Sequence, residues 1–284
     1  MENNGNHRIS ATLEHLVAME KEKLSAWQKE LDGLPEGSLR CLCRGKNTFF
    51  YHAVGDKRTG ITRDLDRVYV LARKKYLNLL INGQEKMLEE ARIALSGKRC
   101  SRSRALANAS PLEKLLDYYG RLGLDVARIT CTREQYMWMK KTYYQNPRDP
   151  HKKVYETYSG IRVRSKSEQS IGNSMERRGI PYRYEPGIRL NVDWMEDVPG
   201  MDGVGDKVYF PDFIILTASG DIIVWEHLGR VDLKSYREHN MEKIAAYRQS
   251  GMLDDDHLIL TYEKDMESPK ILDHIIDKRI MSFM

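Results

Sequence analysis

The length, composition and charge of the chain favour a soluble globular protein and exclude a disordered or membrane protein. Of its 284 residues 41% are apolar, more than a disordered chain contains, and 31% are charged, more than a membrane protein contains. No run approaches the ~20 apolar residues of a membrane span, and the start "MENNGNHRIS" lacks the apolar segment of a secretion signal. We therefore expect no association with a membrane and a cytoplasmic location.

The basic residues are concentrated towards the N-terminal half of the chain. Residues 38–107 hold 16 Lys and Arg against 6 Asp and Glu, although the net charge of the whole chain is only +5. This distribution of charge is typical of a protein whose basic part binds a polyanion and whose acidic part acts on that polyanion. The alternative is an ordinary solvated helix surface that happens to be basic.

Residues 1–95 are predicted to form a mostly helical module around a β-hairpin. Apolar residues over 11–32 recur at spacings of three, four and seven, as in an amphipathic helix. The segment "SLRCLCRGKNTFFYHAV" has a hairpin signal around Arg44-Gly45-Lys46-Asn47, and a third strand is predicted after "GDKRTG". A second long helix over 65–95 follows. The two helices are expected to pack on each other or on a second copy, which makes a homodimer one of the expected partners.

Residues 96–159 are predicted to be a linker followed by short helices. The segment "SGKRCSRSRALANASP" at 96–111 is small, polar and basic, which is typical of linkers. Helices are predicted over 112–122 and 132–145, before "QNPRDPHKK" breaks the pattern.

Residues 160–284 are predicted to fold as a mixed sheet flanked by helices, in the order α-β-β-β-α-β-α. A helix ends at Gly179, and "IPYRYEPGIRL" is read as one strand bent at its Pro-Gly. The segment "VYFPDFIILTASGDIIVWEHLG" gives two strands joined at Ser219-Gly220. A helix over 233–249, a short strand "HLILTYE" and a closing helix complete the order. The whole chain is therefore predicted to be an α+β or α/β protein.

Two carboxylates lie at the strand ends that are far from the turn at Ser219-Gly220. Counting back from the turn sets Asp212 opposite Glu226 or His227, with side chains ~5 Å apart. Carboxylates that close repel unless a proton or a cation lies between them, and Mg²⁺ or Mn²⁺ suits an oxygen-only site. Glu168 shares a helix face with apolar residues and is the third acid expected to face the sheet. The alternative is that each acid is an ordinary strand-end or helix-end charge.

A helix-borne Glu, a "PD" entering a strand and a Glu in the next strand resemble the PD-(D/E)XK nuclease superfamily, which has a restriction-endonuclease-like core. The segments "RSKSEQSIGNSMERRGIPYRYE", "FPDF" and "WEHLG" look like the small nuclease domains attached to some bacterial helicases. The resemblance covers about residues 160–265. It implies Mg²⁺- or Mn²⁺-dependent hydrolysis of DNA, with Glu168, Asp212, Glu226 and the backbone carbonyl of His227 as metal ligands. RNA is a less expected substrate, and a helicase or other subunit is a further expected partner.

One position departs from the pattern of that superfamily. The family usually has Lys two residues after the strand glutamate, where this chain has Leu228. Three replacements are considered: Lys243, which with Tyr247 resembles a Gln-x-x-x-Tyr element of some branches; Lys166, beside the helix acid; and the side chain of His227. If none reaches the acids, the domain is a weak or inactive nuclease-fold subunit that binds nucleic acid or a partner protein. An unrelated α/β interaction protein with structural acids is the third reading.

Basic residues of the N-terminal module, with Phe49, Phe50, Tyr51 and Tyr69 among them, are predicted to hold a duplex backbone without reading its sequence. The module also resembles small hairpin modules of bacterial mobile-element and phage proteins, so a mobile-element, phage or defence setting is expected. Glu185 is read either as an acid at the edge of the site or as an exposed strand-end charge. The predicted nucleic-acid contacts are Lys46, Lys57, Arg58, Arg73, Lys74, Lys75, Lys166 and Tyr247.

Overall fold

The chain divides into two compact units in the computed structural model, Met1–Leu124 and Asp125–Met284. The structure describes residues 3–95, 110–190, 208–229, 234–250 and 257–283. The division falls inside the segment 96–159 that the sequence assigned to a linker and short helices, and residues 96–109 of that linker lie outside the described residues. Within the described parts, no helix combines the length and apolar character needed to cross a membrane.

The first unit is a three-stranded sheet with helices. Its elements are α1 (Asn3–Asp32), β1 (Ser38–Arg44), β2 (Asn47–Val54), β3 (Lys57–Gly60), α2 (Leu65–Leu95) and α3 (Pro111–Arg121). The predicted hairpin and both long helices are confirmed. The third strand lies within "GDKRTG" and not after it, because Gly55 at φ 55° allows a tight turn that pairs Val54 with Lys57.

The sheet of the first unit packs one face on α2. Leu39 of β1 and Phe50 of β2 are buried, as are Val68, Leu71 and Ala72 along the apolar stripe of α2. The side chain of Asp64 accepts a hydrogen bond from Arg67 N–H at 3.0 Å and so caps the start of α2. The cap and the apolar stripe of α2 therefore position this helix against the strands.

The second unit contains the candidate site and is an α+β arrangement. Its elements are α4 (Val126–Thr130), α5 (Arg133–Lys140), β4 (Tyr155–Glu156), β5 (Arg162–Val163), α6 (Lys166–Arg178), β6 (Tyr182–Tyr184), β7 (Ile188–Arg189), β8 (Val208–Tyr209), β9 (Phe213–Leu216), β10 (Ile222–Leu228), α7 (Lys234–Gln249), β11 (Leu258–Tyr262) and α8 (Pro269–Arg279). Short 3₁₀ turns lie at Pro150–Lys152, Glu263–Met266 and Met281–Phe283.

Two predicted elements of the second unit are corrected. The helix predicted over 132–145 ends at Lys140, after which Gln145 bridges to Pro186 beside the sheet. The single strand predicted over 180–190 is two strands, β6 and β7, in separate sheets. The break occurs because Glu185 adopts φ 46°, in the left-handed region, immediately before Pro186.

A four-stranded mixed sheet in the order β11-β10-β9-β6 forms the centre of the second unit. Strands β10 and β11 are parallel and are joined through α7, whereas the other neighbours are antiparallel. One face of the sheet, with Phe213 and Trp225, belongs to a buried cluster with residues of α6 and α8. The other face, with Ile214 and Val224, packs with Ile244 and Tyr247 of α7. Both faces are covered, which explains why these strands are apolar without alternation.

Candidate active site

Asp212 and Glu226 lie at adjacent ends of β9 and β10. The antiparallel register pairs Phe213 with Trp225, and its continuation sets Asp212 beside Glu226. The backbone N–H of His227 donates a hydrogen bond to Asp212 Oδ2 at 2.7 Å. Because side chains alternate along a strand, both acids belong to the face of the sheet that α7 covers. The hairpin thus brings two of the predicted acids together.

Glu226 is held by two side chains from successive turns of α7. Its carboxylate is buried, with only 3% of the residue exposed. Lys243 Nζ lies 2.7 Å from Glu226 Oε1 and 2.8 Å from Oε2, and it also donates to the carbonyl of Phe210 at 2.5 Å. The hydroxyl of Tyr247, four residues further along α7, donates to Glu226 Oε1 at 2.8 Å. A buried acid is therefore matched by a cation and a hydroxyl from one helix face.

The position expected to carry the family lysine is part of the core. Leu228 is 7% exposed and packs in the same cluster as Ile244 and Tyr247. An ammonium at this position would lie among those apolar side chains. In this chain the cation beside Glu226 comes from α7 instead.

Glu168 lies in the first turn of α6, on the opposite side of the sheet from α7. Ser165 caps this helix by accepting a hydrogen bond from Glu168 N–H at 3.1 Å. Glu168 Oε2 in turn accepts from the backbone N–H of Arg164 at 2.9 Å and from the hydroxyl of Tyr184 at 2.7 Å. Burial and the charge of Glu168 raise the pKa of Tyr184, so this hydroxyl stays protonated and donates.

The three acids influence each other electrostatically. Burial, followed by the charge of Glu226, raises the pKa of Asp212 well above its usual value, and the charge of Glu168 acts in the same direction. The charge of Lys243 and the hydrogen bond from His227 N–H oppose this increase. Asp212 therefore experiences more negative than positive charge, which a bound cation would relieve.

The donor set fits a divalent ion in its chemistry. Asp212 Oδ1 and Glu168 Oε1 accept no hydrogen bond from the described residues, and carboxylate oxygens are the ligands that Mg²⁺ and Mn²⁺ prefer. The carbonyl of His227 accepts from Gly229 N–H at 3.2 Å and keeps a second lone pair. Within the described residues, no three His, Cys, Asp or Glu side chains already converge as a preformed metal cluster.

Two of the three candidate replacements for the missing lysine do not contact the acids. The side chain of His227 points to the other face of the sheet, where Nδ1 lies 3.1 Å from Thr261 Oγ1 and Nε2 lies 3.3 Å from Glu263 Oε1. Lys166 is exposed at the start of α6 and forms no ion pair in the described parts of the chain. Of the three, Lys243 alone has its cation beside a predicted acid.

Glu185 was expected at the edge of the site or as an exposed charge, and the second expectation is wrong. Its carboxylate is buried between Lys153 at 2.8 Å and Arg164 at 2.6 Å. Its backbone N–H donates to the carbonyl of Asp212 at 2.9 Å. Sequence reasoning also missed Tyr184, although Tyr182 and Tyr184 alternate in "YRYE" as two rings facing one helix would. These two consecutive residues, Tyr184 and Glu185, link β6 to Glu168 and to Asp212.

The predicted nucleic-acid contacts fall into two groups. Arg73 forms two hydrogen bonds with Glu30, at 2.8 and 2.9 Å, and Lys74 donates to the carbonyl of Pro35, so both hold the first unit together. Tyr247 is fully buried, which leaves no ring surface for a base. The residues that are exposed, and so stay predicted contacts, are Lys46, Lys57, Arg58, Lys75 and Lys166.

Comparison of the chain with family models, with curated proteins and with solved structures finds no match.

Proposed function

We propose that the second unit is a metal-dependent nuclease that hydrolyses phosphodiester bonds of DNA. The observation that carries the proposal is the group formed by Asp212, Glu226 and Lys243, in which two strand-end acids lie beside a largely buried ammonium. Support also comes from the central sheet, whose strands in chain order are β6, β9, β10 and β11, with β10 and β11 parallel and the other neighbours antiparallel. The family resemblance implies a mixed sheet flanked by helices, and this sheet is of that general kind. A bacterial mobile-element, phage or defence setting, with a helicase or other subunit as partner, belongs to the same proposal.

The residues have separate tasks in this proposal. Glu168, Asp212, Glu226 and the carbonyl of His227 would hold the divalent ion. When bound, that ion lowers the pKa of water and offsets the charge that develops on the phosphate. Lys243 supplies a fixed positive charge in a site from which α7 excludes most water, and so strengthens electrostatic stabilisation of the negatively charged transition state. Tyr247 orients Glu226 through its hydroxyl.

A second candidate function is a nuclease-fold subunit that binds nucleic acid or a protein without cutting. The observation in its favour is that Lys243 and Tyr247 together occupy both carboxylate oxygens of Glu226. A metal ion at Glu226 would have to share or displace these contacts. The same cleavage assay separates the two functions.

The nuclease proposal is tested by incubating the purified full chain with linear and circular DNA in Mg²⁺, in Mn²⁺ and in EDTA. We expect metal-dependent cutting that Asp212→Ala and Glu226→Ala each reduce by at least about 100-fold. Asp221→Ala, at the exposed turn of the same hairpin, is the matched control and should cut normally. Undiminished cutting by both Asp212→Ala and Glu226→Ala would show that the proposed site is wrong. DNA binding without cutting by the unaltered protein would favour the second function.

Removal of the Tyr184 hydroxyl is expected to slow cutting by about 10-fold, because Glu168 loses a hydrogen bond that fixes its position. Tyr182→Phe is a closely matched control, since the Tyr182 hydroxyl donates to Glu176 at 2.6 Å on the same helix but away from the acids. Cleavage rates at increasing Mg²⁺ should show that Tyr184→Phe needs more metal and that Tyr182→Phe does not. If the two variants changed the cleavage rate and its Mg²⁺ dependence equally, the Tyr184 hydroxyl would contribute only to the stability of the protein.

A further inference from the structure

The sheet of the first unit has a face that points away from α2. Residues paired across an antiparallel ladder share a face, and successive residues of a strand alternate. Leu39 and Phe50 are buried on the α2 side, so their neighbours in the strands face the opposite way. We call this opposite side the outer sheet face; its residues are Arg40, Leu42, Arg44, Phe49, Tyr51 and Arg58.

Apolar side chains occupy the middle of the outer sheet face. Leu42 pairs with Phe49 and is 40% exposed, and Phe49 and Tyr51 are partly exposed. Tyr51 pairs with Gly60, and a Cβ added to Gly60 would lie 4.0 Å from the Tyr51 ring. Glycine at this position therefore leaves one side of the ring uncovered by its cross-strand neighbour. Within the described residues, neither Phe49 nor Tyr51 stacks on another ring or on a cation.

Positive charge surrounds these rings and is not neutralised locally. Residues 38–60 contain five Lys and Arg against one acid, Asp56. Arg40 is the cross-strand partner of Tyr51, and Arg44 and Arg58 lie further along the same face. None of the three forms an ion pair in the described parts of the chain. A polyanion with exposed aromatic groups is the partner that such a surface complements.

We propose that the outer sheet face binds single-stranded nucleic acid, with bases stacked on Phe49 and Tyr51 and phosphates bound by Arg40, Arg44 and Arg58. The two rings are ~7 Å apart along β2, so each can take its own base. In a duplex the bases are already paired and stacked on each other, so they are not available to stack on the two rings. The sequence predicted a grip on a duplex backbone; the structure separates Phe50, which is in the core, from the two outward rings. This inference does not depend on the acids of the second unit.

The test is binding of the full chain, in EDTA to prevent cutting, to a labelled single-stranded oligonucleotide followed by fluorescence anisotropy. We expect tighter binding to the single strand than to a duplex of the same length. Phe49→Ala combined with Tyr51→Ala should weaken single-strand binding by at least about 30-fold. Tyr158→Ala, which removes a ring that is 72% exposed in the second unit, is the control and should bind as the unaltered protein does.

Two further measurements separate stacking from misfolding and from simple charge attraction. Phe49→Leu combined with Tyr51→Leu keeps apolar side chains in the strand and should lose the same affinity, with an unchanged circular dichroism spectrum. An oligonucleotide with abasic sites keeps every phosphate, and the unaltered protein should bind it as weakly as the double variant binds the normal strand. Equal binding of abasic and normal strands, a preference for duplex, or normal binding by the double leucine variant would each overturn the proposal.

Discussion

Lys243→Met is expected to reduce metal-dependent cleavage by at least about 100-fold and to act on kcat more than on KM. The ammonium lies 2.7 Å from a carboxylate of the site, and the loss of a preorganised charge in a water-poor site has effects of this size. The Lys243 side chain is only 15% exposed, so it contributes little to holding the outer backbone of the substrate. The measurement is a steady-state rate over a range of DNA concentrations at saturating Mg²⁺.

Lys166→Met is the control for this prediction, because Lys166 was a competing candidate for the same role. Its side chain is exposed, so this variant should keep a rate close to that of the unaltered protein. Lys243→Met also leaves Glu226 buried without its cation, which lowers stability, so rates are compared well below both melting temperatures. Lys243→Arg keeps the charge and should retain part of the activity. If Lys166→Met cleaved slowly and Lys243→Met cleaved at the normal rate, the positive charge at the site would come from Lys166 on α6 and not from Lys243.

The elements around the candidate site could be predicted because local patterns agree with the fold. Gly220 at φ 95° provides a turn, and the apolar runs on either side of it form the two paired strands. Counting back from this turn left Asp212 opposite either Glu226 or His227, and the register in the structure places it beside Glu226. Ser165 as a helix cap and Gly179 as a helix end, at φ 66°, similarly fix the bounds of α6 and so the place of Glu168.

Other features depended on contacts between residues distant in sequence. Lys243 was one of three candidates because no periodicity states which face of α7 meets the sheet near Glu226. The alternative that Glu185 is an exposed charge was wrong because its partners, Lys153 and Arg164, lie 32 and 21 residues before it. A charge is predicted to be solvated unless partners are known, so sequence reasoning fails for a buried ion cluster of this kind.

The aromatic residues of β2 in the first unit also depended on a contact between residues distant in sequence. Phe49, Phe50 and Tyr51 are consecutive, and the sequence alone treated them as one aromatic group. Strand alternation divides them between two faces once the position of α2 is known.

Asp212→Asn is expected to raise the stability of the protein at pH 8 in EDTA, by about 1 kcal/mol or more. Burial and the charges of Glu226 and Glu168 raise the pKa of Asp212 in the folded protein above its value in the unfolded chain. The folded state then binds the proton more tightly, so this group favours folding at low pH, and that contribution is lost as pH rises through the raised pKa. Asparagine does not ionise and can still accept the hydrogen bond from His227 N–H. The advantage of Asp212→Asn should therefore grow from near pH 4 upwards.

Addition of Mn²⁺ should reverse this order of stability, because a ligand that binds only the folded state stabilises it. The increase is about 2.7 kcal/mol when the free ion is at 100 times its dissociation constant, and Asp212→Asn should receive little of it. Thermal unfolding of both proteins between pH 4 and pH 8, with EDTA or with Mn²⁺, measures each effect without reference to cleavage. Asp221→Asn, at the exposed turn of the same hairpin, should follow the unaltered protein in both series. Equal stabilisation of Asp212→Asn and the unaltered protein by Mn²⁺ would remove Asp212 from the metal site, because a carboxylate that holds the ion cannot be neutralised without weakening its binding.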